Sequence, residues 1–366
     1  MQSTNKKKIC IIASSLGRGG AEKVAANHSI MFSNLGYEVH VVTVLNHIKY
    51  PYKGKLLNLG ALKDQDNTVK GRLNRLIRFN NYLKANNFDC IIDHRARVAT
   101  VRELLITQII YRKEKVVYML HNYNLKNVFF KFKSLVNYNY SKAHAMVAVS
   151  KSIALRVNEE YSKIKAKTIY NPFDLKEIEL LFNQKCEIED RYILFFGRLD
   201  DDHKNISFLL DAYSKSDLIK NNIKLIILGD GPDKEKLIVL SKKIGLEKYV
   251  IFKGFKSNPY PYIRKALFTV LTSRYEGFPM VIPESLACGT PVVSVNCKSG
   301  PKEVIKHKEN GLLVENYESQ SFADAMNSFI FEEDLYIKCK KNAKISVEHL
   351  SLNNIAKQWE ELINTI

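Results

Sequence analysis

The run Ser273-Arg274-Tyr275-Glu276-Gly277-Phe278-Pro279-Met280-Val281-Ile282-Pro283-Glu284 places two carboxylates on either side of a proline. Proline has no N–H and clashes with the preceding turn, so Pro283 fits only the first turn of a helix. With Pro283 as the third helical residue, Met280 becomes the N-cap. The amides of Met280, Val281 and Ile282 then lack partners within the helix. Together with the helix dipole they make an anion site. Glu276 precedes that site, and Glu284 lies one turn inside the helix. At a rise of about 1.5 Å per residue, the two carboxylates can bracket a phosphate-sized group. Carboxylates accept hydrogen bonds from hydroxyls. A nucleotide sugar presents groups in that order: sugar hydroxyls, diphosphate, ribose hydroxyls.

Other segments offer complementary chemistry. Phe196-Gly197-Arg198-Leu199-Asp200-Asp201-Asp202-His203-Lys204-Asn205 carries two cations six residues apart, between a strand end and a helix start. Arg198 supplies a bidentate fork and Lys204 a point charge, and both can converge on a diphosphate. The same stretch also reads as a solvated basic loop. Gly229-Asp230-Gly231-Pro232 is a strand-to-helix turn with proline suited to the first helical position. Its glycines serve the turn and could also admit a flat base. Near the N-terminus, Ser14-Ser15-Leu16-Gly17-Arg18-Gly19-Gly20-Ala21-Glu22 is a glycine-rich turn after a strand. It suits either a tight bend or close approach to a phosphate. A dinucleotide fingerprint fails there, because Glu22 stands where the third glycine belongs, and a dehydrogenase is disfavoured. His121 follows another apolar run; taken alone it reads as a structural histidine. Asp64-Gln65-Asp66 and Asp200-Asp201-Asp202 both contain D-x-D, but neither follows a strand as a metal site of that kind needs. No metal and no resident cofactor are expected.

Alternating strands and helices must position these residues. Apolar runs at Lys8–Ala13, Val39–Val44, Cys90–Ile92, Val116–Leu120, Met146–Val149 and Lys167–Ile169 alternate with helix-period segments such as Ala21–Leu35 and Val98–Tyr111. The alternation restarts with Tyr192–Phe196, Lys224–Leu228, Val250–Phe252, Phe268–Leu271 and Pro291–Val295. Helices fit at Asn205–Ser214, Lys234–Ile244 and Val281–Cys288. This pattern implies an α/β fold of two tandem doubly wound domains. Ligands of such sheets bind beyond the carboxyl ends of the strands, so a cleft between the domains is the expected site. The expected organisation is an N-terminal acceptor-side domain over 1–174, a polar linker over 175–190 and a C-terminal donor domain over 191–345. A helical tail over 346–366 could cross back to the first domain.

In their order and spacing these segments resemble the GT-B glycosyltransferases of family 4, bacterial enzymes of the lipopolysaccharide, O-antigen and capsule type. The resemblance spans nearly the whole chain. It rests on Gly19-Gly20-Ala21-Glu22, His121-Asn122, Asn171-Pro172, Gly197-Arg198-Leu199 with Lys204-Asn205, and Gly229-Asp230-Gly231. It continues through Glu276 to Glu284, Ala287-Cys288-Gly289, and Ser299-Gly300-Pro301 with Glu303. It implies a GT-B fold of two Rossmann-like domains and glycosyl transfer with retention. Arg198 and Lys204 would hold the diphosphate. Glu284 would bind ribose hydroxyls and Glu276 the hydroxyls of the donor sugar. The Phe278, Met280 and Val281 backbone would lie beside the phosphate, with Gly229 in the same donor site. His121 would sit near the reacting sugar. Gly19 and Gly20 would face the diphosphate from the other domain. The spacing from Arg198 to Lys204 is six, against the commoner five, so Asp200 to Asp202 are expected to form a longer loop.

The chain of 366 residues has a net charge of +18, and +17 of it falls within residues 1–180. That asymmetry points to an anionic partner for the first half. Lys70-Gly71-Arg72-Leu73-Asn74-Arg75-Leu76-Ile77-Arg78-Phe79 reads as a basic helix with Val69, Leu73, Leu76, Ile77 and Leu83 in an apolar stripe. Val128-Phe129-Phe130-Lys131-Phe132-Lys133 interleaves aromatics and cations. Both suit an anionic membrane interface; the stripe also reads as core packing. A nucleic-acid-binding protein is a rival reading, but recognised modules are lacking and the basic segments are dispersed. A nucleotide-sugar epimerase of the same fold is another. No apolar run is long enough to span a bilayer, and the polar start reads as leading into a first strand, not as a signal peptide. The six cysteines form no C-x-x-C pair and read as buried reduced thiols. The expected location is cytoplasmic and peripheral on the inner membrane face. The expected substrates are a nucleotide sugar, a UDP-hexose or UDP-N-acetylhexosamine in preference to GDP-mannose, and a lipid-linked saccharide acceptor.

Overall fold

In the computed structural model, which describes residues 6–17 and 19–366, the longest apolar runs become the central strands of two all-parallel sheets. The first sheet contains β1 (Lys8–Ala13), β2 (Glu38–Thr43), β3 (Lys55–Asn58), β4 (Cys90–Asp93), β5 (Val116–Leu120), β6 (Ala145–Ala148) and β7 (Ala166–Thr168), in the order β3-β2-β1-β4-β5-β6-β7. The second contains β8 (Tyr192–Phe196), β9 (Lys224–Leu228), β10 (Val250–Gly254), β11 (Thr269–Leu271), β12 (Val292–Val295) and β13 (Gly311–Val314), in the order β10-β9-β8-β11-β12-β13. β5 and β8 are buried at every residue. Parallel strands covered by helices on both faces require such continuous apolar sequence. Each sheet reverses its strand order beside its first strand, between β1 and β4 and between β8 and β11. That switch point opens a crevice at the carboxyl ends.

The sequence reading omitted β3 and β13. Both are edge strands of four residues. β3 has no buried residue, so its composition carries little apolar signal. An edge strand pairs on one side only and tolerates polar residues. The helix read over Val98–Tyr111 is an α-helix over Thr100–Leu105 that widens into a π-helix over Ile106–Ile110. Four of those five residues are β-branched, which disfavours regular α-helix.

The chain divides into two compact units, residues 1–172 with 352–366 and residues 173–351. The stretch 175–190, read above as a linker, opens with a helix, Leu175–Leu181. Asp174 caps it by accepting from the amides of Lys176 and Glu177. Phe182 then packs beneath the Arg264 guanidinium at 4.0 Å, and Asn258 donates to the Leu181 carbonyl. These contacts tie the stretch to the second unit. The last helix, Leu352–Asn364, buries Ile355, Ala356, Trp359, Leu362 and Ile363 in the first unit. Trp359 packs edge-on against His28 and Phe32 of the Gly20–Asn34 helix, with ring centroids 4.9 and 5.6 Å away.

Candidate active site

Glu276 follows β11 and is 8% exposed. Its Oε1 accepts from Lys204 Nζ at 2.6 Å. Burial by itself would raise the Glu276 carboxyl. The Lys204 ammonium and His203 outweigh it and hold the group below its ordinary 4.5. Lys204 ends a single helical turn, Asp201–Lys204. That turn is fastened to the segment before Glu276 at several points. Thr272 Oγ1 donates to the Lys204 carbonyl at 2.9 Å and the Arg274 amide to the His203 carbonyl at 2.9 Å. The His203 ring stacks on Tyr275, and its Nε2 bonds the Tyr275 carbonyl at 2.7 Å. The acidic triplet is used for local capping: Asp201 Oδ1 accepts the Ser207 amide, and the Asp201 amide donates to Asp233.

The helix after Glu276 runs Val281–Ala287 with Met280 as N-cap, so Pro283 is its third residue. One expectation changes. The Ile282 amide donates to the Pro279 carbonyl at 3.0 Å, because the cap residue Met280 itself has helical dihedrals, φ −56° and ψ −26°. This leaves Met280 and Val281 as the candidate anion donors. Glu284 is 5% exposed, and Phe278 is buried at 6%. Ser285 anchors the helix to the sheet: Thr269 Oγ1 donates to its Oγ at 2.7 Å, and that Oγ donates to the Thr290 carbonyl. The Ser299–Pro301 loop braces the same segment. Gly300 has φ +108°, and a Cβ there would sit 2.4 Å from Pro279 Cδ.

Arg198 lies after β8 with its side chain 64% exposed, its Nε 3.8 Å from Asp200. Gly229, after β9, belongs to the neighbouring turn. A Cβ at Gly229 would lie 1.8 Å from the Gly197 carbonyl oxygen. The Leu199 amide donates to the Asp230 carbonyl at 2.9 Å, and the Gly197 amide to the Leu228 carbonyl at 3.0 Å. Close backbone packing therefore requires this glycine, whatever else it does.

The first unit holds the other expected residues. Gly19 caps the Gly20–Asn34 helix, and Arg18 of that turn lies outside the described residues. Gly20, His121, Asn122, His94, Arg95 and Arg97 line a cavity of about 290 Å³ at the carboxyl ends of β1, β4 and β5. His94, Arg95 and Arg97 escaped the sequence reading. The available signal was Asp93-His94-Arg95-Ala96-Arg97 directly after a strand. Arg95 makes a two-point bond to Asp93, Nε to Oδ1 at 3.0 Å and Nη2 to Oδ2 at 2.7 Å. Arg97 is fully buried. It donates to the Arg95 and Met119 carbonyls and lies 5.3 Å from the Tyr118 ring centroid. His94 Nδ1 bonds His121 Nε2 at 3.1 Å. Burial, then the Arg97 cation, lowers His121 to about 3.

The basic surface is built differently from the simplest stripe. In the Val69–Asn86 helix, Phe79 and Leu83 are buried, whereas Val69, Leu73 and Ile77 are 81%, 57% and 48% exposed. They share one face at four-residue spacing, with Lys70, Arg72 and Arg78 exposed beside them. Val128, Phe129 and Phe130 are core residues; only Lys131, Phe132 and Lys133 of that run are exposed. Among the described residues, no helix is long and apolar enough to cross a membrane.

Comparison with known proteins places this architecture. Residues 18–177 match the model for Glycosyltransferase Family 4, and residues 178–346 match Glycosyl transferases group 1. The chain is 31% identical, over 96% of its length and 98% of the relative, to the N-acetylgalactosamine-N,N'-diacetylbacillosaminyl-diphospho-undecaprenol 4-alpha-N-acetylgalactosaminyltransferase of Campylobacter jejuni. It is 25% identical to the amylovoran biosynthesis glycosyltransferase AmsD of Erwinia amylovora, over 98% of this chain and 99% of that one. The crystal structure of Anabaena Alr3699/HepE in complex with UDP and glucose has the same fold, with a TM-score of 0.77 at 21% identity over 98% of this chain and 100% of that one. The chain therefore belongs to family 4 of the glycosyltransferases and has the GT-B fold.

Proposed function

We propose that this enzyme moves a hexose or N-acetylhexosamine from a UDP-sugar to a lipid-linked saccharide, with retention, in the synthesis of a cell-surface polysaccharide. The observation that carries this reading is the Lys204–Glu276 pair, set just before the helix that bears Glu284. In this scheme Glu276, oriented by Lys204 at Oε1, receives sugar hydroxyls. Glu284 receives the ribose hydroxyls. The Met280 and Val281 amides, beside Phe278, meet the phosphates, and the Gly229 turn belongs to the same donor site. Arg198 and Lys204 stabilise the charge that grows on the diphosphate as the C1–O bond breaks. The acceptor oxygen forms its bond to C1 on the same face, and its proton passes to the departing phosphate oxygen. Gly19, Gly20 and His121 act from the first unit. Cationic side chains neutralise the leaving group, so the scheme needs no metal, and chelation is expected to leave turnover unchanged.

The relatives support the substrate classes. The Campylobacter protein is named for a diphospho-undecaprenol saccharide, and the Anabaena structure holds UDP and glucose. A lipid-linked acceptor requires access to a membrane surface. We assign that contact to the exposed Val69, Leu73 and Ile77 row with its flanking cations, which makes the enzyme peripheral on the inner leaflet.

A ligand that binds only the folded state raises its stability, by about 2.7 kcal/mol at a hundredfold excess over Kd. A thermal-shift series with UDP, GDP, UDP-glucose, UDP-N-acetylglucosamine, UDP-N-acetylgalactosamine and GDP-mannose tests the donor. Stabilisation by the uridine series alone is expected. A shift confined to GDP-mannose would replace the donor assignment, and product analysis of the anomeric configuration checks retention.

A further inference from the structure

Three histidines from three separate elements form one chain in the first unit. His28, on the Gly20–Asn34 helix, places Nδ1 3.2 Å from Nε2 of His94. His94, after β4, places Nδ1 3.1 Å from Nε2 of His121. His94 and His121 also stack, with ring centroids 5.1 Å apart. At one end His121 lines the cavity. At the other end, His28 Nε2 is buried without a hydrogen-bond partner among the described residues, against the rings of Trp359 and Phe32.

Each neutral imidazole carries one N–H, and each of the two nitrogen–nitrogen bonds takes one proton. Only two arrangements satisfy both conditions. In the first, all three rings carry the proton on Nδ1, so His121 keeps an Nδ1–H beyond the relay and His28 Nε2 is a bare acceptor. In the second, all three carry it on Nε2; His121 Nδ1 is then a bare acceptor and His28 holds a buried N–H with no partner. The rings cannot choose independently.

The far end selects between them. Buried orphan N–H groups are rarer than under-satisfied acceptors. Trp359 Nε1 is a donor-only group and is itself buried without a partner among the described residues. The second arrangement would therefore leave two unpaired donors in one apolar environment, and the first leaves a donor beside an acceptor. A fourth proton is excluded as well. Burial, followed by the neighbouring histidines and Arg97, keeps His94 well below 6.5, and burial, then His121, brings His28 to about 3. Of the carboxylates near the relay, Asp93 is occupied by Arg95 and the Tyr111 hydroxyl, and Glu22 lines the same cavity as His94 and His121.

We propose that His28 and His94 are positioning residues that fix His121 as a neutral Nδ1–H donor toward the cavity. His121 then donates a hydrogen bond to a substrate oxygen and does not serve as a general base. The tautomer is a property of the first unit; its catalytic use rests on the glycosyl-transfer reading above.

Long-range 15N–1H correlation spectra of protein labelled at histidine test the tautomer without any substrate. All three rings are expected in the Nδ1–H form. In His28→Phe, His94 Nε2 loses the hydrogen bond it accepts, and a second set of His121 signals in the Nε2–H form is expected. His28→Asn offers an amide N–H at the position of Nδ1 and is expected to restore the wild-type pattern. With a working donor and acceptor, kcat should fall about five- to tenfold in His28→Phe, the loss of one neutral hydrogen bond, and recover in His28→Asn. An Nε2–H His121 in the wild type would overturn the proposal. So would an unchanged His121 pattern in folded His28→Phe. If His28→Phe does not fold, the wild-type and His28→Asn spectra decide. A correct tautomer pattern with no glycosyl transfer would refute the functional reading and leave the relay standing.

Discussion

Lys204 Nζ lies 2.6 Å from Glu276 Oε1, although the two residues are 72 positions apart and both are largely buried. Lys204 comes from the turn after β8 and Glu276 from the loop after β11, adjacent strands at the switch point of the second sheet. The pair joins a group suited to a diphosphate to one suited to sugar hydroxyls. It also makes each residue a determinant of the other's position.

Lys204→Ala is expected to abolish transfer and to destabilise the second unit as well. Removing one partner of a buried ion pair leaves an uncompensated charge, at a cost of about 3–5 kcal/mol. Glu276→Gln in the same chain should recover much of that stability and none of the activity. Urea unfolding of the two single variants and the double variant measures this directly. A Lys204→Ala protein as stable as the wild type would show that the pair is not closed in solution.

Acid should unfold the two units in sequence. A histidine whose folded pKa is depressed contributes stability that is complete above its unfolded value, near 6.5, and is lost as pH falls toward the folded value. His28 and His121 lie at about 3, so their contribution declines between pH 6.5 and 3. The slope is about 1.4 kcal/mol per pH unit for each. Glu276 is depressed below 4.5, so its contribution is intact above that value and declines as pH falls through its folded pKa. The first unit should therefore weaken at higher pH than the second. Trp359 is the sole tryptophan and lies in the first unit. Its fluorescence transition should precede the loss of helical circular dichroism. Coincident transitions would contradict this ordering.

The exposed row on the Val69–Asn86 helix should contribute to membrane binding but not to folding. Replacing Val69, Leu73 and Ile77 together by serine removes apolar surface already in water, so the melting temperature should stay within about 2 °C. Sedimentation with anionic vesicles should fall severalfold in that variant. Arg72→Glu with Arg78→Glu should reduce it further at low salt, each cation contributing about 1 kcal/mol near such a surface. Binding that is absent in the wild type at every salt concentration would remove the assignment.

Much of the architecture is determined by local pattern. Continuous apolar runs set β1, β5, β8 and β9 to within a residue, because a strand buried on both faces has little freedom in composition. Pro283 set the start of the Val281–Ala287 helix, because a missing N–H is tolerated only in the first turn. Edge strand β3 was not legible, since none of its four residues is buried, and β13 is apolar but only four residues long. Tertiary structure alone decided which residues meet. Sequence spacing could aim Lys204 and Glu276 at one ligand, but only adjacency of β8 and β11 brings them into direct contact. Gly229 read mostly as a turn residue that could also admit a flat base, and its approach to the Gly197 carbonyl shows why the turn needs glycine there. The histidine chain was invisible for the same reason. Of its three rings only His121 stood out in the sequence, and only the order of β1, β4 and β5 in the sheet, with Trp359 returning from the C-terminus, closes His28, His94 and His121 into a relay.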